Sequence, residues 1–229
     1  MVLRSSAISS IAIRTPSAGA SDAEAILSIL KDIDLDAVPS YPERPVNANS
    51  LDVASLKDAR NFLYLINPDS FETKRRFLEA MRDTNYDIVL IDLFFDGEAL
   101  TPSEVASLKT KADGGSRLAI AYVNVGAAED YRYYWQPEWR IGDPGWLAAR
   151  YEGFEDEAFV RYWDPQWKSL IFGNDESYLK RIMDAGFDGA YLDNVLAYEV
   201  FEEQDRVDRE RVIAPDHVDV RGLHPRLGI

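Results

Sequence analysis

Four short and almost wholly apolar segments recur along the chain, at residues 61–66 (NFLYLI), 88–93 (IVLIDL), 118–125 (LAIAYVNV) and 190–193 (AYLD). Strands that are apolar on both faces must be covered on both, which is the condition of parallel strands flanked by helices. The stretches between them read as helices. Residues 73–83 are one. Residues 101–111 are another, opened by Thr101 as N-cap, Pro102 in the first turn and Glu104 as the capping-box acid. A third spans 174–185 and stops at Gly186. A further short strand is expected near 159–162 and a highly charged helix over 198–210. Alternation of this kind joins parallel strands by right-handed crossovers, giving an α/β chain with either an open doubly wound sheet or a (β/α)8 barrel. About five strands can be counted, fewer than the eight of a closed barrel.

The flanks are of a different character. Residues 21–31 read as a helix, with Ser21 and Glu24 as a capping box and Ile26, Leu27 and Leu30 on one face. Residues 38–49 hold three prolines and two asparagines and read as a linker. The organisation expected is an N-terminal helix and Pro-rich linker over 1–50, a barrel-type α/β region over 51–203 and an atypical tail over 204–229. The apolar run at residues 7–13 is short, broken by serines and followed by Arg14 and Pro16, a poor secretion signal. No run of 18 apolar residues occurs, so no membrane span is expected.

Charge and composition narrow the function. A formal net charge of −15 repels phosphate backbones, so nucleic acid is not an expected partner. There is no cysteine, which removes disulfides, zinc-thiolate sites and thiol nucleophiles together. The two histidines, His217 and His224, lie in the tail. Gly114-Gly115 lacks the context of a dinucleotide or phosphate loop, and neither G-x-S-x-G nor H-E-x-x-H occurs. No cofactor and no metal are expected.

In both α/β architectures the functional groups gather at the C-terminal ends of the parallel strands. Those ends carry Asp92, followed by Asp96 and Glu98; Tyr122 and Asn124, followed by Glu129; and Asp193 with Asn194. Recurrent carboxyl groups at such a rim suit glycoside hydrolysis, which needs one carboxyl to protonate the leaving oxygen and a second to act as nucleophile or base. Asp193, closing an apolar strand, is the first candidate. Each acid also has a structural reading. Asp193 and Asp92 could cap a helix or pair with Arg or Lys, and Glu129 could be a solvated residue at a helix start. The aromatic run from Tyr131 through Trp135 to Trp163 could stack on sugar rings or pack beneath a long loop, and Arg132 and Arg161 could partner the acids.

The segments TNYDIVLIDLFFDG (84–97), RLAIAYVNVGAAEDYRYYW (117–135) and VRYWDPQWKSLIFGNDESYLKRIMDAGFDGAYLDN (160–194) carry a resemblance. In order and spacing they are similar to the endo-α-1,4-polygalactosaminidase superfamily (glycoside hydrolase family 114-like), in the branch long labelled cysteinyl-tRNA synthetase-related. AEDYRYYW and GFDGAYLDN are the most specific pieces. The resemblance implies a (β/α)8 barrel, commonly extracytoplasmic, acting on amino-sugar exopolysaccharide, so that the partner is a polysaccharide or oligosaccharide. It matches Asp193, Asp92 and Glu129 to acids of the family's motifs and so implies catalytic roles for them, and it matches Tyr122 and Tyr131 to aromatic positions; these two, with Asn124, Arg132, Trp135, Trp163 and Asn194 from the strand ends and the aromatic run, are expected on the substrate side. The sequence departs from the family in three places. Ala127 stands where relatives usually carry Glu, Leu196 where they usually carry Asp, and residues 218–229 (VDVRGLHPRLGI) replace about three further βα units, including one expected carboxylate. Those departures leave open a decayed or truncated barrel that binds saccharide without cleaving it, or an inactive fragment. The oligomeric state is not legible.

Overall fold

The computed structural model describes residues 35–40, 44–151 and 153–213. The helix expected at 21–31, the apolar run at 7–13 and most of the tail lie outside the described residues. The chain divides into two compact units, Met1–Asn194 and Val195–Ile229.

The first unit is built on a four-stranded parallel sheet of β1 (Phe62–Leu65), β2 (Ile88–Asp92), β5 (Leu118–Asn124) and β9 (Gly189–Asp193), in the order β1-β2-β5-β9. Helix α1 (Lys74–Arg82) follows β1 and α2 (Pro102–Leu108) precedes β5. Between β2 and α2 lies the hairpin of β3 (Phe94–Phe95) and β4 (Glu98–Ala99). Its turn is Asp96-Gly97, with φ of 50° and 75°. Two positive φ values are what a two-residue hairpin turn demands.

Alternation along the strands divides the sheet into two faces. Leu63, Leu65, Val89, Ile91, Leu93, Ala119, Ala121 and Val123 share one core with Phe77 and Met81 of α1 and with Val105 and Leu108 of α2. The opposite parity gives Ile66, Leu90 and Tyr122, with Tyr64, Ile120 and Tyr191 against them. The α2 start forms as its residues dictate. Thr101 Oγ1 accepts from the Glu104 amide at 3.3 Å, and Glu104 Oε2 accepts from the Thr101 amide at 2.7 Å.

The segment between β5 and β9 differs from the sequence expectation. The strand expected near 159–162 is β8 (Phe154–Val160), and it lies outside the parallel sheet. It is the centre of an antiparallel sheet ordered β6-β8-β7, with β6 (Ala127–Glu129) and β7 (Leu147–Tyr151). Gly153, at φ 87°, lies in the turn joining β7 to β8. The helix expected at 174–185 is present over Tyr178–Asp184, and a further helix that was not expected precedes it. α3 (Pro165–Ile171) is capped by Asp164, whose Oδ1 accepts from the Gln166 amide at 2.8 Å, and α4 (Tyr178–Asp184) follows. Gly186, at φ 85°, follows the end of α4 as expected. Trp167 and Ile171 of α3 and Tyr178 and Ile182 of α4 join the first core.

The second unit contains α5 (Tyr198–Ile213), whose existence the charged sequence had indicated. No helix among the described residues is long and apolar enough to cross a membrane.

Candidate active site

Parallel pairing aligns the C-terminal strand ends in register. Asp92 is paired with Tyr122, Tyr122 with Tyr191, and Asn124 with Asp193. In-register residues of parallel neighbours project to the same side, so these groups form one polar rim. The antiparallel sheet adds to it, because β6 starts three residues after β5 ends and places Glu129 opposite Glu157 of β8.

Two polar clusters occupy this rim. The first is centred on Arg132, whose side chain is 3% exposed. Its Nη1 donates to Asp92 Oδ1 at 2.9 Å, and its Nη2 lies 2.7 Å from Asp92 Oδ2. Its Nε donates to Glu129 Oε2 at 2.6 Å and its Nη2 to Glu129 Oε1 at 3.2 Å. One guanidinium therefore clamps two carboxylates by charge-assisted bonds. Burial opposes its charge, but the carboxylates of Asp92 and Glu129 prevail and push its pKa well above the ordinary arginine value. Tyr131 Oη donates to Glu129 Oε1 at 2.6 Å, and its ring lies 4.9 Å from the guanidinium carbon. Asp92 Oδ1 also accepts from the Phe94 amide at 2.8 Å, which ties the acid to the β3–β4 hairpin.

This cluster floors a cleft of about 470 Å³, in the size range of small-molecule sites. Its walls include Asp92, Phe94, Asp96, Tyr131, Arg132 and Tyr133. Phe94 and Tyr133 are stacked, with centroids 5.6 Å apart and planes at 28°. Tyr131 and Tyr133 are exposed, so the cleft presents aromatic surface beside carboxylates.

The second cluster surrounds Asp193, which is 1% exposed. Its Oδ2 accepts from Tyr122 Oη at 2.8 Å. The Tyr122 phenol is pushed well above its usual pKa, first by burial and then by the negative charges of Glu129, Asp193 and Glu157. Three acids thus lie within electrostatic range of one buried hydroxyl. Asn124 Nδ2 donates to Glu157 Oε2 at 3.2 Å, and Asn124 Oδ1 accepts from Asn194 Nδ2 at 3.0 Å. Asn194 Oδ1 accepts from Tyr151 Oη at 3.2 Å.

The candidates chosen from sequence are therefore distributed. Asp92, Glu129, Tyr131 and Arg132 meet in the first cluster; Tyr122, Asn124, Asp193 and Asn194 meet in the second. Glu129 is not a solvated residue at a helix start, because it lies in β6 with no exposure. Arg161 donates instead to the Gly145 carbonyl. Trp135 and Trp163 do not line the 470 Å³ cleft. Trp135 borders a separate cleft of about 300 Å³ with Trp139, Asp130 and Asp156. There the Asp130 carboxyl is pushed up by burial and by the charge of Asp156. Trp163 is 46% exposed and packs edge-on against Tyr162. Sequence reasoning passed over Glu157, which is 4% exposed, because it ends the run Glu155-Asp156-Glu157 that reads as solvated charge. Tyr133 belongs to the aromatic run that the sequence offers for stacking, whereas Phe94 is not singled out there, although the Asp-Gly turn signal after Phe94-Phe95 marks the hairpin that delivers it. Among the described residues no group of three or more His, Cys, Asp or Glu side chains is placed to hold a metal ion.

Comparison with known proteins fixes the family. The sequence pattern of glycoside-hydrolase family GH114 matches residues 55–215. An uncharacterized protein of Thermotoga maritima is 34% identical over 150 residues, covering 65% of this chain and 42% of its own length. An uncharacterized protein of Methanocaldococcus jannaschii is 35% identical over 158 residues, covering 69% of this chain and 43% of its own length. The chain thus matches less than half the length of these relatives. Among solved structures, the glycoside hydrolase domain of PelA from Pseudomonas aeruginosa is similar at 21% identity, over 59% of this chain and 46% of that one, with a TM-score of 0.36. With the family pattern running from the segment before β1 into α5, the chain belongs to glycoside-hydrolase family GH114.

Proposed function

We propose that the chain carries the fold of a (β/α)8-type glycoside hydrolase, with residues 51–203 as its barrel portion, and that it acts on an amino-sugar exopolysaccharide. The observation that carries this reading is the gathering of four buried carboxyl groups, Asp92, Glu129, Glu157 and Asp193, at the C-terminal rim of parallel strands. A rim of that kind beside an aromatic-walled cleft is what two-carboxyl cleavage of a glycosidic bond requires. The negative charge of the chain favours a partly deacetylated, cationic polymer.

In this reading the three named acids have different work. Asp193, held by a neutral phenol, is the proton-transferring carboxyl. Asp92, paired with Arg132 and lining the cleft, stabilises positive charge developing at the anomeric carbon. Glu129 lies behind it and acts through Arg132 and Tyr131, fixing their orientation. Tyr131, with Phe94 and Tyr133, offers ring faces to the sugar, and Asn124 and Asn194 hold the Asp193 end of the site.

The test is release of reducing ends from an α-1,4-linked, partly deacetylated galactosamine polymer. The chain is expected to cleave it, and Asp193→Asn to lower the rate roughly 10²–10⁴-fold while remaining folded. Cleavage by Asp193→Asn at the unmodified rate would sink the assignment of that acid. A second reading, binding without turnover, is favoured by Ala127, fully buried at a position where the family resemblance leads one to expect Glu. It predicts polymer binding without new reducing ends, weakened by Trp135→Ala or Trp163→Ala.

A further inference from the structure

The polar connections leading away from Asp193 reach a residue that takes no direct part in the reaction described above. Glu157 belongs to β8, at the centre of the antiparallel sheet. It is buried, and its Oε2 accepts from Asn124 Nδ2. The orientation of Asn124 is determined from both ends of its amide. Its Oδ1 accepts from the Ala127 backbone amide at 2.9 Å and from Asn194 Nδ2 at 3.0 Å. A flipped amide would set its NH2 against two donors and turn its carbonyl toward the Glu157 carboxylate. Glu157, together with the Ala127 amide, therefore selects the one orientation in which Asn124 can accept from Asn194.

Asn194 needs such a hold. It has φ 56°, a left-handed conformation that asparagine enters more readily than other non-glycine residues but that still costs energy, so contacts from its surroundings favour it. Its side chain is tied to Asn124 on β5 and to Tyr151 on β7. It directly follows Asp193, whose carbonyl accepts from the Val125 amide at 3.1 Å. The backbone at the end of β9 is thus held by β5 and by the antiparallel sheet together.

We propose that Glu157 is a positioning residue for Asp193: it orients Asn124, Asn124 holds Asn194 in its left-handed conformation, and that conformation sets the Asp193 carboxyl. The proposal rests on the reading of Asp193 as a reacting group. It gives the antiparallel sheet between β5 and β9 a part in the site that packing alone does not require.

The test compares Glu157→Ala with Glu157→Gln in the full chain. A glutamine carbonyl accepts the same bond from Asn124 Nδ2, so Gln keeps the hold and Ala loses it. Misplacement of a reacting group on this scale costs on the order of 10²-fold. Glu157→Ala is expected to lose roughly that factor in kcat with KM within about twofold, and Glu157→Gln to recover most of it. A crystal structure of Glu157→Ala is expected to show Asn194 released from positive φ. Full kcat in Glu157→Ala alongside an inactive Asp193→Asn, or an unchanged Asn194, would overturn the proposal. If the unmodified chain cleaves no polymer, the functional reading fails by itself, and the conformation of Asn194 in Glu157→Ala still decides whether Glu157 positions this end of β9.

Discussion

The two ends of the parallel sheet bury opposite kinds of charge. Among the described residues, the buried charged groups at the N-terminal end are Asp87, Lys111 and Arg117, two cations to one anion. At the C-terminal end they are Asp92, Glu129, Arg132, Glu157 and Asp193, four anions to one cation. The N-terminal groups are bound largely by backbone. Lys111 Nζ donates to the carbonyls of Asn49 and Leu51 at 2.9 and 2.7 Å and to Asp87 Oδ1 at 3.0 Å. Arg117 donates to the carbonyls of Leu108, Met81 and Thr110 and to Thr84 Oγ1, at 2.6 to 3.0 Å. Burial draws the Arg117 pKa down to about 10, which leaves it charged at neutral pH. These cations close the loose carbonyl ends of α1 and α2 and strap residues 49–51 across the sheet, a stabilising task. Gly115 belongs to the same device, since a Cβ there would come within 2.6 Å of the Ser50 carbonyl. The C-terminal end keeps an excess of like charge, an arrangement that costs stability and suits chemistry. One end of the sheet is built to hold the chain together and the other to act.

The sharpest way to break this contrast is at Arg132, the buried cation that two rim carboxylates share. Arg132→Met leaves Asp92 and Glu129 facing each other in a buried site, with an expected loss of about 3–5 kcal/mol in urea unfolding. A loss below about 1 kcal/mol would mean that the two acids do not depend on their guanidinium. Lys111→Met should cost about 3 kcal/mol, the lower end of that range, because Asp87 still accepts from the Arg60 amide at 2.8 Å and from Asn49.

A pH prediction follows for the same pair. Burial acts to raise the Asp87 pKa, but the bonds from the Arg60 amide, Lys111 and Asn49 outweigh it and hold the carboxyl below its usual value. A depressed folded-state pKa contributes stability that is complete above the unfolded carboxylate value and is lost as pH falls through the folded one. Thermal melts across the acid range should show this loss smaller, and complete at a higher pH, in Lys111→Met than in the unmodified chain, because its onset is set by the unfolded carboxyl and only the folded-state value rises. Identical acid profiles would remove Asp87 from the account. The smallest effect belongs to a site outside both ends. Thr101→Ala removes one half of the α2 capping box and should cost about 1 kcal/mol in the same unfolding experiment.

Much of the parallel sheet was readable because its strands are apolar on both faces and short. The segments that became β1, β2, β5 and β9 stand out with no neighbour's help, and Asp92 and Asp193 are visible as acids closing two of them. The stretch after β5 was not readable in the same way. In β8 the sequence FEDEAFV mixes three acids with buried Phe154, Ala158 and Val160, because its partners are antiparallel and its two faces are unequal. Glu157 is indistinguishable from Glu155 until β6 and Asn124 are placed beside it. Helix α3, which was not expected, had a local signal, since Asp164-Pro165 is a helix start in its own right. The two-sided clamp of Arg132 joins residues 40 positions apart, and no local spacing predicts it.

The most direct test of the contrast is to measure urea unfolding of Asp193→Asn beside Asp87→Asn. The two substitutions make the same chemical change at opposite ends of the sheet. Removing the Asp193 charge from an acidic rim should leave stability unchanged within about 0.5 kcal/mol or raise it. Removing the Asp87 charge leaves Lys111 buried without its anion and should cost about 3 kcal/mol or more. Equal losses from both substitutions would contradict the account, because Asp193 would then be as much a structural ion as Asp87.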